Sequence, residues 1–139
     1  MRILGIDYGT KRIGLAMSDE LMITAQPFRI LYRTALPEDL AKIAGVVADH
    51  GITEIVMGFP LNMNGTQSAK TKEVVVFMDE LARAVTVPIK TWDERLSTAQ
   101  VERSLIDADM SRAKRKKITD KLAAQVILQS YLDSRKRGL

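Results

Sequence analysis

The first third of the chain carries apolar residues in short alternating runs, the pattern of strands rather than helices. Ile3, Leu4 and Ile6 read as a buried strand, Asp7 to Arg12 as a polar turn, and Ile13, Leu15 and Met17 as a second strand with a period of two. Phe28-Arg29-Ile30-Leu31 gives a third, with Pro27 suited to a strand start or an edge. Three closely spaced strands predict an antiparallel meander. The pattern then changes period. Leu40, Ile43, Ala44 and Val47 recur at helical spacing, entered through Leu36-Pro37-Glu38-Asp39 and stopped at Gly51. Glu54 to Phe59 is continuously apolar after its acid, as in a central strand covered on both faces.

Beyond it, Leu61 to Thr66 is turn-rich, and Val74, Phe77, Met78, Leu81 and Val85 predict a second amphipathic helix. Val87 to Trp92 reads as a further strand, with Pro88 favouring an edge. Ser97 with Gln100 resembles a capping box for a helix running to about Asp107. Leu122, Ala123, Ala124, Val126, Ile127, Leu128, Tyr131 and Leu132 form a long apolar helix, with Asp120 at its start. The order is strand, strand, strand, helix, strand, helix, strand, helices. That predicts a single α/β domain over 1–139.

Composition narrows the function classes. The 139 residues include no cysteine, so disulfides, thiolate metal sites and a cysteine nucleophile are excluded, and a reducing cytoplasm fits. No basic-then-apolar leader opens the chain, and no apolar run approaches the roughly 20 residues that cross a bilayer. A cytoplasmic protein with no membrane partner is expected. The formal charge of +4 permits a polyanionic partner without requiring one. Much of the excess sits in Arg112, Lys114, Arg115, Lys116 and Lys117 and in the tail Arg135-Lys136-Arg137, where helix ends favour cations.

The candidate chemistry lies in the acids. Asp7 ends an apolar strand, where a carboxylate is paired, hydrated or bound to a cation; the turn glycine Gly9 is free to take a positive φ, and Asp7 alternatively accepts turn hydrogen bonds. Asp93-Glu94 ends another strand. Right-handed crossovers place such carboxyl ends on one edge of a parallel sheet, where open α/β folds hold their ligands. Asp120 shares a helix face with Ala123, Ala124, Ile127 and Tyr131. Three converging acids suit Mg²⁺ or Mn²⁺, and two such ions serve phosphodiester hydrolysis. The alternatives are a helix-start role for Asp120, a cap for Asp93 and a pair of Glu94 with Arg95 or a lysine.

Four blocks carry a family resemblance: Gly5 to Gly14, Gly58 to Thr66, Asp93 to Thr98, and Lys117 to Ala124. Together they resemble the signature of the YqgF/RuvX family. The resemblance implies a ribonuclease H-like, RuvC-like three-layer fold with a five-stranded mixed sheet ordered 3-2-1-4-5, strands 1 to 3 antiparallel and helices on both faces. It also implies a nuclease processing the 5′ end of precursor 16S ribosomal RNA in ribosome biogenesis, or a resolvase of branched DNA, with Asp7, Glu94 and Asp120 as the carboxylates. Asp93 is the alternative to Glu94, since strand side chains alternate. The partner is then structured RNA or a DNA junction, the protein a monomer or homodimer. Lys11, Arg12, Arg95 and the 112–117 cations can meet phosphates, and Asn62, Asn64 and Thr66 can bond sugar or phosphate. Arg95 can instead pair with Asp93, and turn formation alone accounts for the asparagines. From another class comes a non-catalytic nucleic-acid-binding protein. Asp7-Tyr8-Gly9-Thr10 also resembles the first phosphate loop of actin-like ATPases, but those bind nucleotide between two domains, and this chain has length for one.

Overall fold

Five strands assemble in the order β3-β2-β1-β4-β5, with the most apolar two, β1 and β4, at the centre. The structure is a computed structural model that describes residues 1–96 and 112–136, the side chains of 112–121 excepted. The elements are β1 (Arg2–Asp7), β2 (Arg12–Ser18), β3 (Ala25–Tyr32), α1 (Leu36–Asp49), β4 (Ile52–Phe59), α2 (Ala69–Ala84), β5 (Ile89–Asp93), a 3₁₀ turn (Glu94–Leu96) and α3 (Arg112–Lys136). β1, β2 and β3 pair antiparallel, whereas β4 runs parallel to β1 and to β5. The mixed sheet and its order are those the sequence implied.

Differences at element ends have local causes. β3 begins at Ala25 and includes Pro27, because it is an edge strand and its register slips between Leu15–Arg29 and Ala16–Pro27, a bulge that absorbs the missing donor. α2 starts at Ala69 rather than near Val74, fixed by a reciprocal cap in which Thr71 N donates to Ser68 Oγ and Ser68 N to Thr71 Oγ1. α3 begins at Arg112, eight residues before the expected start at Asp120. Its apolar period begins only at Leu122, but Arg, Ala and Lys are strong helix formers and favour a longer helix. The helix expected from Ser97 to about Asp107 lies outside the described residues.

Alternation sorts the sheet into two cores. Leu4, Ile6, Ile13, Leu15, Ile55 and Met57 face α1 and α2, meeting Leu40, Ile43, Val74, Phe77 and Leu81. Ile3, Ala16 and Val56 face α3 through Ala124, Ile127, Leu128 and Tyr131. The α3 interface is tight because glycines line it. A Cβ on Gly5 would fall 2.8 Å from Leu128 Cβ and 3.2 Å from Ala124 O, and one on Gly58 would fall 2.6 Å from Ile127 Cδ1.

Two buried acids tie the layers together. Asp39, which the sequence reading placed as a helix-start acid, is fully buried and accepts from Arg33 Nε at 2.8 Å and Thr34 N at 3.1 Å. Arg33 also donates to Gly9 O at 3.1 Å and lies 5.0 Å from the Tyr8 ring centre, so the pair braces the β1–β2 turn. On the other face, Glu54 accepts from Tyr131 Oη at 2.5 Å and pairs with Lys90 at 3.1 Å and Arg135 at 3.4 Å. This cluster joins β4, β5 and α3. Burial pushes the Tyr131 phenol up, and the Glu54 carboxylate adds to it.

Two expectations follow from this packing. Gly5→Val destabilises by about 1–3 kcal/mol through overpacking against Leu128, read as a lower urea midpoint at unchanged slope. For Asp39, burial acts to raise the carboxyl, but the Arg33 and Thr34 hydrogen bonds outweigh it and hold it below the ordinary value. A depressed acid stabilises fully above its unfolded value of about 4 and loses that contribution as pH falls through its folded value. Urea titrations should therefore show parent stability falling below about pH 4, with Asp39→Asn less stable at pH 7 and flatter in the acid range.

Candidate active site at the carboxyl edge of the sheet

Asp7 is the last residue of β1, two positions after Gly5 and on the same face, so its carboxylate emerges on the α3 side. It is buried at 9% exposure. Ile6 pairs with Met57, so the next step brings Asp7 level with Gly58 on β4; Gly58 in turn pairs with Trp92 on β5. Trp92 also lies on the α3 side, donating from Nε1 to Ser130 Oγ at 3.1 Å and meeting Tyr131 edge to face.

Glu94 completes that row. Its Oε1 lies 3.1 Å from where a Cβ on Gly58 would stand, so the carboxylate rests over the glycine, on the face that Asp7 shares. Strands β1 and β5 flank β4, about 10 Å apart at the usual spacing. Ile127 Cδ1 and the Glu94 carboxylate both pack over Gly58, 2.6 and 3.1 Å from where a Cβ would stand, so only a glycine fits there. The glycine interrupting an otherwise apolar strand is the signal by which the sequence could have revealed this cradle.

Asp93 turns away from this row. Its carboxylate accepts from Arg95 Nε at 3.0–3.1 Å, from Arg95 Nη2 at 2.7 Å and from Arg95 N at 2.9 Å. The Arg95 side-chain hydrogen bonds hold the Asp93 carboxyl below the usual range. Of the adjacent acids, Glu94 lies over Gly58 and Asp93 is bound by Arg95. Arg95 forms the pair with Asp93 given as its alternative, and its Nη1 donates to Met63 O at 3.3 Å.

The loop polar groups are likewise turned inward. Asn62 Nδ2 donates to Thr66 Oγ1 at 3.0 Å, and Asn64 Oδ1 accepts from Thr66 N at 3.1 Å and from Thr66 Oγ1 at 2.6 Å. These bonds build the turn. Lys11 is exposed in the turn after β1, and Arg12 lies 5.9 Å from the Tyr32 ring centre on the β3 side. Gly9 does not take the positive φ expected of it; among the described glycines only Gly51 and Gly65 do. What Gly9 supplies is space for the carbonyl of Arg12. His50 lies with Nδ1 3.1 Å from Val46 O at the end of α1, away from the acids.

Asp120 belongs to α3, one helical turn before Ala124. Contacts fix the direction of that helix: Ala124 and Leu128 sit on Gly5, Tyr131 and Arg135 reach Glu54 at the beginning of β4. The helix therefore runs antiparallel to β1 and β4, and its earlier turns lie toward their carboxyl ends. The side chains of Asp120, Arg112, Lys114, Arg115, Lys116 and Lys117 lie outside the described residues. Among the described residues no group of three acids or histidines forms a metal cluster. The donor set of Asp7 and Glu94, both hard oxygen ligands, fits Mg²⁺ or Mn²⁺.

Comparisons with known proteins agree with this architecture. The RuvX family, described as Holliday junction resolvase, matches over residues 1–134. A protein of Desulforamulus reducens named as a candidate pre-16S rRNA nuclease is 47% identical over 134 residues, covering 96% of this chain and 98% of that protein. One of the same name from Carboxydothermus hydrogenoformans is 47% identical over 138 residues, covering 99% of this chain and all of that protein. Among solved structures, Thermus thermophilus RuvC superposes with a TM-score of 0.59 at 12% identity, covering 99% of this chain and 97% of that one. The same enzyme in complex with a Holliday junction substrate gives 0.56 at 15% identity. That likeness is one of fold, the ribonuclease H-like mixed sheet. With the family match spanning nearly every residue and relatives near half-identical end to end, the chain belongs to the RuvX family.

Proposed function

We propose that this protein is a divalent-metal-dependent nuclease that hydrolyses phosphodiester bonds at the carboxyl edge of its sheet, acting in the cytoplasm on the 5′ region of precursor 16S ribosomal RNA. The observation that carries the reading is the placement of Asp7 and Glu94 at the carboxyl ends of β1 and β5, on the face that α3 covers, with the Glu94 carboxylate lying over Gly58. Asp7, Glu94 and, from α3, Asp120 would hold the ions. Bound Mg²⁺ or Mn²⁺ supplies an activated water and stabilises the leaving oxygen. The single domain over 1–139 carries all three acids.

The residues themselves have distinct tasks. Asp7 is held by the rigid end of β1, which Arg33 braces from the opposite face through Gly9 O, so the carboxylate is positioned before substrate arrives. Glu94 is set by the turn after β5. Lys11 and the 112–117 cations of α3 meet substrate phosphates and make affinity salt-dependent. The names of the relatives that are 47% identical favour the RNA substrate. The family description and the junction complex of T. thermophilus RuvC favour a second reading, cleavage of branched DNA, which calls for a dimer so that two strands are cut symmetrically.

A direct comparison decides between them. Purified protein with Mg²⁺ or Mn²⁺ is incubated with precursor 16S RNA, a four-way DNA junction and linear duplexes, beside Asp7→Asn. Cleavage of the RNA by the parent is expected, reduced in the variant by on the order of 100-fold or more, since even outer-shell partners of a metal contribute 10–100-fold. Junction cleavage alone would transfer the assignment to DNA, and equal cleavage by both proteins would remove the assignment. Chelation with EDTA should abolish turnover and added Mg²⁺ or Mn²⁺ restore it; activity that survives chelation would exclude the metal mechanism.

A further inference from the structure

We infer that Arg95 is a positioning residue: it latches the 61–67 loop to the end of β5 and fixes the direction of Glu94, and it is not a phosphate anchor. The inference rests on the reading of Glu94 as a site carboxylate. Its basis is a clamp that closes around that residue from both sides.

Asp93 Oδ1 accepts from the backbone N–H of Arg95 at 2.9 Å, a turn that encloses Glu94 and restricts its backbone. The same Asp93 carboxylate receives the Arg95 side chain through Nε and Nη2, at 2.7–3.1 Å. Arg95 is thereby tied to Asp93 by backbone and side chain at once, with Glu94 between them and its carboxylate directed over Gly58. A forked, charge-assisted arrangement of this kind has one geometry, which a lysine cannot reproduce.

The outer end of the guanidinium reaches the loop. Nη1 donates to Met63 O at 3.3 Å, and it would lie 3.4 Å from a Cβ on Gly65, so the group lies across that glycine. Gly65 stands at φ +86°, a conformation that strains any other residue, and donates to Asn62 O at 2.8 Å. The loop is closed on itself by the Leu61–Gln67 bridge and the Asn62, Asn64 and Thr66 bonds. A folded turn is therefore docked as a unit beside the acids. Its attachment among the described residues includes the Pro60 carbonyl, bonded by Thr71 of α2, and the Arg95 latch. Three of the five guanidinium N–H groups are thereby engaged within the protein, on Asp93 and Met63 O.

The test separates a latch from an anchor. Arg95→Ala, Arg95→Lys and Gly65→Ala are compared with the parent in two measurements. In metal-free protein, amide hydrogen exchange at Asn62, Gly65 and Thr66 should accelerate more than tenfold in both Arg95 variants, the factor corresponding to a lost charged hydrogen bond. Unchanged exchange in the Arg95 variants would overturn the latch, whether or not the protein cuts nucleic acid. With whichever of precursor 16S RNA or the four-way junction the parent cleaves, kcat should fall by on the order of 10–100-fold in all three variants, with KM and the salt slope of binding unchanged. Full kcat in Arg95→Lys, with a salt slope reduced by about one in Arg95→Ala, would make Arg95 a phosphate contact and overturn the proposal. A parent that cuts neither substrate would count against the nuclease reading, and the exchange data would still decide the latch.

Discussion

The close seating of α3 on β1 and β4 governs the rest of this molecule. Helix and sheet approach through Gly5 and Gly58, where any Cβ would collide with Leu128 or Ile127, and small residues at Ala16 and Ala124 extend the flat contact. Dispersion falls off steeply with a gap of even half an ångström, so this approach is worth more than the modest apolar area of glycine and alanine implies. It also determines where chemistry can occur. Two residues past Gly5 the chain reaches Asp7, and over Gly58 lies the carboxylate of Glu94. The residues that let the helix in are also the neighbours of the acids.

Buried acids fasten both ends of the sheet. At the amino end of β4, Glu54 is surrounded by the Tyr131 hydroxyl, Lys90 and Arg135, which neutralise the charge within β4, β5 and α3. On the α1 side, Asp39 and Arg33 do the same for the turn that follows β1. An acid so enclosed is a fastening, since removing one partner would strand a charge in low dielectric. Asp7 and Glu94 lie at the carboxyl ends of β1 and β5, where chain turns leave the sheet and open α/β folds hold their ligands.

At that edge, cations that a sequence offers to a substrate can be taken by the protein itself. Arg95 stands beside two acids and a polar loop, and the fold spends its fork on Asp93 and Met63 O. Local geometry favours this outcome: the partner is two residues away, so little chain entropy opposes the contact, whereas a phosphate must arrive from solution. Asn62, Asn64 and Thr66 follow the same rule, closing their own turn. Lys11, exposed in the β1–β2 turn, is open to solvent.

Periodicity alone specified the order of elements, the meander of β1 to β3, the central place of β4 and the edge place of β5, because alternation and helical spacing are local properties of the chain. The four residue blocks specified the family. Asp39 shows what local reading misses: its spacing to Ile43 and Val46 puts it on the buried face of α1, but its partner Arg33 precedes the helix, and only docking of α1 against the β1–β2 turn joins them. Glu54 meets Tyr131 across 77 positions, a contact no window can contain. The choice between Asp93 and Glu94 was likewise undetermined by sequence, since both are acids at one strand end. In the folded protein the Glu94 carboxylate lies over Gly58 and the guanidinium of Arg95 holds Asp93, and which side chain goes where depends on faces that exist only once β4, β5 and α3 have come together.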